Sequence, residues 1–225
     1  MPIKGVIFDF NGTLFWDTPF HNTAWDRFLE NHQIELSDQE KNEKIHGKNN
    51  RDIFTGLFNR SIEPEELDRY IDEKEQLYRD ICIKEQQPLA DGAIELFDFL
   101  EQNNIPFTIA TASGLDNVQF FFEQFELHRW FEFEQIVYDD GSIRGKPNPD
   151  FFLKAMEKLR LQPATCLVFE DSLAGIKAAE NAGAAQIIIV NSTLNDYDQF
   201  DYPKITSFRE VLRLVQFQSN GKEKI

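Results

Sequence analysis

Five short apolar runs, each ending at a polar residue and separated from the next by helix-forming sequence, leave this chain few folds to choose from. Residues 5–8 lead into Asp9, 107–110 into Thr111, 166–169 into Glu170 and 187–190 into Asn191, and a weaker run, 135–138, leads into Asp139. A continuous apolar run, as opposed to an alternating one, is the pattern of a strand covered on both faces. The stretches between them, 92–102, 117–125, 150–159 and 173–182 with Gly183 as a C-terminal cap, read as the helical crossovers that parallel strands require. The expected class is α/β, with a doubly wound parallel sheet.

Residues 17–87 interrupt this alternation. They hold no strand signal and are rich in charge and helix formers. Thr18-Pro19 looks like a helix start, with Thr18 as N-cap and Phe20, Ala24, Trp25, Phe28 and Leu29 on one apolar stripe. Glu63-Pro64 opens a longer helix to about Lys84, and Pro88 with Asp91-Gly92 marks the return to the sheet. The chain should therefore divide into a core domain of residues 1–16 and 88–225 and an inserted helical domain of residues 17–87, with a frayed tail over 219–225.

With 225 residues, 41% of them hydrophobic and 28% charged, the chain has the profile of a soluble globular protein. A formal charge of −16 disfavours nucleic acid and anionic membranes as partners. It leaves room for a phosphorylated small molecule, because one bound cation and a few aimed donors reverse the potential locally. Cys82 and Cys166 lie far apart without paired spacing, which suggests neither a disulfide framework nor a zinc site and fits a reducing cytoplasm. The first residues resemble neither a signal peptide nor a membrane span, and a monomer is expected.

Ligands of an open parallel sheet bind beyond the carboxyl ends of its strands. Asp9 and Asn11, Thr111, Lys146 and the pair Glu170-Asp171 all fall there or shortly after. Together they offer carboxylates for a hard divalent cation, a hydroxyl and an ammonium for phosphate oxygens, and a carboxylate nucleophile. Those are the parts of phosphoryl transfer, whose catalysis is mostly positioning and charge stabilisation.

The segment Phe8-Asp9-Phe10-Asn11-Gly12-Thr13-Leu14 resembles the first signature of the haloacid dehalogenase-like hydrolases, D-x-D-G-T-L, with one substitution. Thr111-Ala112-Ser113 resembles the second, Gly145-Lys146-Pro147 the third, and Glu170-Asp171-Ser172 with Gly175-Ile176 the fourth, in the family's order. The resemblance implies a Rossmann-like core, Mg²⁺, and an aspartyl-phosphate intermediate on Asp9. It implies phosphate binding by Thr111 and Lys146, with Ala112 and Ser113 beside them, and metal binding by Asp9, Asp171, the main-chain carbonyl of Asn11 and, directly or through water, Glu170. It further implies that the Gly12 and Thr13 amides face the phosphate. The inserted segment resembles the helical cap of the β-phosphoglucomutase-like branch, a cap that closes over the site and selects substrate. Its candidate substrate-binding residues are His21, Lys74 and Gly47, Lys48 and Asn49 in what looks like the branch's specificity loop, 47–51. Trp25 is expected in the core.

Residue 11 departs from the pattern. The family's phosphatases carry an aspartate there as general acid and base, and Asn11 does neither job, which typically costs about 10²–10⁴ in rate. Four readings follow: a slow native phosphatase, an enzyme whose cap or substrate provides the proton, a deliberately inactivated variant, or a non-catalytic phosphate-binding protein. A sugar-phosphate mutase needs proton transfer in both directions and suffers more from the substitution. The leading expectation is a Mg²⁺-dependent phosphatase of a small phosphorylated metabolite.

Overall fold

An all-parallel, six-stranded sheet frames the computed structural model, in the order β3-β2-β1-β4-β5-β6. The strands are β1 (Gly5–Phe8), β2 (Phe107–Gly114), β3 (Val137–Asp139), β4 (Cys166–Glu170), β5 (Gln186–Val190) and β6 (Lys204–Ile205). The described residues are 2–218 apart from 38, 39, 42, 43, 46–49, 59 and 193–195, with the backbone alone for 51 and 52. The sheet belongs to one of two compact units, residues 1–16 with 88–225; the other is Asp17–Gln87.

Every residue of β1 and β4 is buried, which is why both are written as unbroken apolar runs. Successive side chains alternate between the sheet's two faces. Ile7 and Val168 join one cluster with Phe151 and Phe152 of α6 (Asp150–Lys158) and Ile176 of α7 (Leu173–Ala182). Phe8 points to the opposite face, stacked on Phe169 at 5.1 Å and edge-on to Phe97 of α4 (Ala93–Gln102) at 5.4 Å. Helices thus cover both faces, the doubly wound arrangement. Strand order reverses between β1 and β4, so the crevice beyond their carboxyl ends is the natural ligand site.

Some boundaries differ from expectation. β2 continues past Thr111 to Gly114, with a register shift between Ala110 and Gly114 that an apolar-run criterion does not register. It passes directly into α5 (Leu115–Gln124), which begins two residues earlier than expected. β3 starts only at Val137, because residues Phe133–Gln135 form a 3₁₀ turn. β6, two residues long, is too short to leave a hydrophobic pattern.

The second unit is helical among its described residues: α1 (Thr18–Asn31), α2 (Asn50–Leu57) and α3 (Pro64–Glu85). Trp25, Phe28, Leu29, Ile53, Phe54 and Leu67 form its core. Pro19 and Pro64 each occupy the first turn, where a missing N–H costs no hydrogen bond. Thr18 is the first helical residue and not the cap; Asp17 stands in the cap position, and its carboxylate accepts from the Tyr78 hydroxyl instead of closing the turn. Asn50 and Arg51 of the expected specificity loop likewise open α2, and its residues 47–49 fall outside the described residues. No helix among the described residues is long and apolar enough to cross a membrane.

Candidate active site

At the reversal point four charged side chains converge. Lys146 Nζ donates to Asp9 Oδ1 and to Glu170 Oε2, both at 2.6 Å. Asp9, Glu170 and Asp171 each place one carboxylate oxygen within 4.8 Å of the others, and all three are buried. Phe152 supplies a ring face 4.9 Å from the Lys146 ammonium. Burial, then the charge of Glu170, pushes the Asp9 carboxyl up to about 7 against the pull of Lys146. Burial and repulsion from Glu170 and Asp9 raise Asp171 well above the carboxylate range. Burial opposes the charge on Lys146, but Asp9 and Glu170 more than offset it and hold the ammonium above its ordinary value.

Two glycines make this packing possible. Gly12 has φ of +78°, and a Cβ there would lie 2.2 Å from Asp171 Oδ2. A Cβ on Gly175 would lie 2.0 Å from the Glu170 carboxylate. Glu170 Oε1 accepts from the amides of Asp171 and Ser172 and from the Ser172 hydroxyl, while Ser172 Oγ caps α7 by accepting from Gly175 N–H. Glu170 therefore divides its oxygens, one fixed to the turn that starts the helix and one holding Lys146. Thr13 Oγ1 donates to Asp171 Oδ1 at 3.1 Å, and Tyr197 donates to the Asp171 main-chain carbonyl at 2.6 Å. Neither Tyr197 nor Phe152 is a candidate on sequence grounds: Tyr197 follows no strand end, and Phe152 belongs to an ordinary apolar helix face.

Asn11 and the end of β2 form the other side of the site. Asn11 Oδ1 accepts from Ser113 Oγ at 2.7 Å and lies 3.4 Å from the Thr111 hydroxyl. Thr111 Oγ1 also accepts from Ser113 N–H, while Ala112 is exposed. The Gly12 and Thr13 amides, which the resemblance sets toward the phosphate, donate to the carbonyls of Phe15 and Phe10 respectively and close a tight turn.

In the helical unit, His21 and Lys74 meet, with Lys74 Nζ 3.0 Å from His21 Nδ1 and 2.8 Å from Glu75 Oε1. The ammonium lies over the rings of Trp25 and Tyr78, at 5.2 and 5.5 Å, and Lys74 is 2% exposed. His21 stacks flat on Tyr78, and its Nε2 is 3.4 Å from Asp17 Oδ2. Since Lys74 can only donate, Nδ1 accepts and the ring proton sits on Nε2, toward Asp17. Trp25 is buried in the unit's core. Gly47, Lys48 and Asn49 lie outside the described residues.

A family model described as haloacid dehalogenase-like hydrolase matches residues 3–183. The β-phosphoglucomutase of Bacillus subtilis is 30% identical, over 80% of each chain. The phosphorylated carbohydrates phosphatase of Thermotoga maritima is 27% identical over 86% of this chain and 88% of its own. Among solved structures, a family IA, variant 3 HAD hydrolase from Entamoeba histolytica superposes with a TM-score of 0.84 at 38% identity, covering 92% of this chain and 95% of that one. The chain belongs to the haloacid dehalogenase-like hydrolases, in their β-phosphoglucomutase-like branch, and is an enzyme of the phosphatase and phosphomutase kind.

Proposed function

We propose that this chain is a Mg²⁺-dependent phosphatase that removes phosphate from a small phosphorylated metabolite through an aspartyl phosphate on Asp9. The buried Asp9, Lys146, Glu170 and Asp171 cluster carries the reading. With all three carboxylates ionised, the one ammonium leaves two negative charges, the charge one divalent cation neutralises. Oxygen donors alone suit a hard ion such as Mg²⁺. Asp9 and Asp171 would hold it, with the Asn11 main-chain carbonyl, and Glu170 joins them directly or through water. When bound, the ion supplies charge stabilisation for the transferring phosphoryl group.

The protein's own groups have separable tasks. Asp9 attacks phosphorus with the carboxylate oxygen that Lys146 steadies. Lys146 then stabilises negative charge on the phosphoryl oxygens, with the Thr111 hydroxyl as a further donor. Glu170 positions Lys146, and Thr13 and Tyr197 position Asp171 from its side chain and its carbonyl. The helical unit is assigned substrate selection through His21, Lys74 and residues 47–49. Phosphate release from a panel of sugar and polyol phosphates tests the reading: turnover should require Mg²⁺ and vanish with excess chelator. A mutase is the second reading, supported by the relatedness to β-phosphoglucomutase. Asn11 weighs against it, because both half-reactions of a mutase need proton transfer.

A further inference from the structure

Among the described residues of the sheet-bearing unit, the polar side chains bonded around Asp9 and Asn11 include no imidazole to hand a proton to a departing oxygen. Asn11 is an amide whose oxygen accepts from Ser113 and lies near the Thr111 hydroxyl, and an amide does not transfer a proton in the useful range. The described non-carboxylate groups beside it include the hydroxyls of Thr13, Thr111 and Ser113 and the Lys146 ammonium, which donates to two carboxylates. Of the described imidazoles, His21 has one nitrogen facing Lys74 and the other Asp17, and His32 is paired with Glu73. His128 is exposed, beside Phe122 in the sheet-bearing unit.

We propose that the site favours phosphoryl donors whose leaving oxygen departs as a weak base, acyl phosphates above all, over phosphate esters of simple alcohols. The inference rests on the phosphatase reading above and narrows its substrate class. In the first step an Asp9 carboxylate oxygen bonds to phosphorus while the bond from phosphorus to the leaving oxygen breaks, its electron pair going to that oxygen. A carboxylate, the base of an acid with a pKa of about 4, carries the pair without a proton. An alkoxide, close in basicity to hydroxide, does not. In the second step water attacks the aspartyl phosphate, Asp9 leaves as carboxylate, and both protons of the water remain on the released dihydrogen phosphate until one passes to solvent.

The test is a leaving-group series with Mg²⁺: acetyl phosphate, aryl phosphates of graded phenol acidity and a simple alkyl phosphate, assayed on the natural chain and on Asn11→Asp. For the natural chain kcat/KM should fall by about 10²–10⁴ from acetyl to alkyl phosphate, the range one general acid spans. In Asn11→Asp the series should flatten because kcat/KM rises more on the alkyl phosphate than on acetyl phosphate. Equal rates on acyl and alkyl phosphates by the natural chain overturn the leaving-group preference while leaving the phosphatase reading in place. No Mg²⁺-dependent turnover of any compound overturns both. The natural chain's slope decides by itself, so a poorly folded variant does not rescue the proposal.

Discussion

Gly12 and Asp171 are 159 positions apart in sequence, yet a methyl group on Gly12 would lie 2.2 Å from the Asp171 carboxylate. Residue 12 also has φ of +78°, a conformation L side chains rarely adopt. The turn after β1 is thus shaped around a carboxylate delivered by β4. Gly12→Ala should cost about 1–3 kcal/mol from backbone strain alone and push Asp171 out of place. Thermal unfolding and Mg²⁺ titration check it: the midpoint should fall and metal affinity should weaken at least tenfold. Unchanged affinity would mean that Asp171 is not a ligand.

Asp9→Asn should remove the phosphoenzyme and lower turnover by at least about 10⁴-fold, as loss of a nucleophile does elsewhere. The fold should survive, since an amide of the same shape keeps an oxygen for Lys146 to donate to. Rapid acid quench with labelled substrate detects the acid-stable intermediate in the natural chain and its absence in the variant. Full activity in Asp9→Asn would remove Asp9 from the mechanism.

Much of this site was legible because parallel strands are buried on both faces. The runs before Asp9 and Glu170 are apolar throughout, so the polar residue that ends each is conspicuous, and topology then sets the two strands side by side. Lys146 comes several residues after the weaker run at 135–138, so its place in the site is less conspicuous and rests more on the order of the family's motifs. Tyr197 and the Asp17–Tyr78 pair lie beyond sequence reading because each depends on a tertiary contact between distant positions with no local pattern. The bonds from the Gly12 and Thr13 amides to the Phe15 and Phe10 carbonyls are hidden for a related reason: motif residues show which backbone comes close, but not which carbonyl closes the turn.

Lys74→Met tests the buried ammonium of the helical unit. The methionine keeps the bulk over Trp25 and Tyr78 but removes the donor to His21 and Glu75. Glu75 retains Asn50 as a donor at 2.6 Å, so the loss should be about 1–3 kcal/mol, the cost of leaving a buried acceptor partly unsatisfied. If Lys74 also reads the substrate, the ranking of sugar phosphates should change while small aryl phosphates, which use little beyond the phosphate site, are less affected. Equal losses on every substrate would show a purely structural role.

Asn11→Asp should raise kcat on an alkyl phosphate by about 10²–10⁴ while affinity for inorganic phosphate stays within about threefold, the pattern of an interaction used in the transition state. Asn11-Gly12 is prone to deamidation, so mass spectrometry of this peptide must accompany the kinetics. If the undeamidated natural chain already matches the variant, another group supplies the proton.

The carboxylate cluster also fixes how stability depends on pH. The Asp9 carboxyl lies near 7 in the folded protein against an ordinary value of 3.8, and Asp171 is shifted the same way. The folded state therefore holds protons that the unfolded chain gives up. The stability this supplies is fully present below pH 3.8 and is lost as pH climbs through about 7. Lys146, raised above its ordinary 10.5, stays charged throughout this window and does not cancel the trend. In excess chelator the unfolding midpoint should thus drop between pH 5 and pH 8, and for a chain of this size each kcal/mol lost corresponds to about 2–4 °C. Divalent cation binding requires the deprotonated carboxylates, so the gain in midpoint on adding Mg²⁺ should be larger at pH 8 than at pH 5. Differential scanning calorimetry at both pH values, with and without Mg²⁺, measures all four quantities. A Mg²⁺ shift that is equal at the two pH values, or larger at pH 5, would show that the ion does not bind at Asp9 and Asp171.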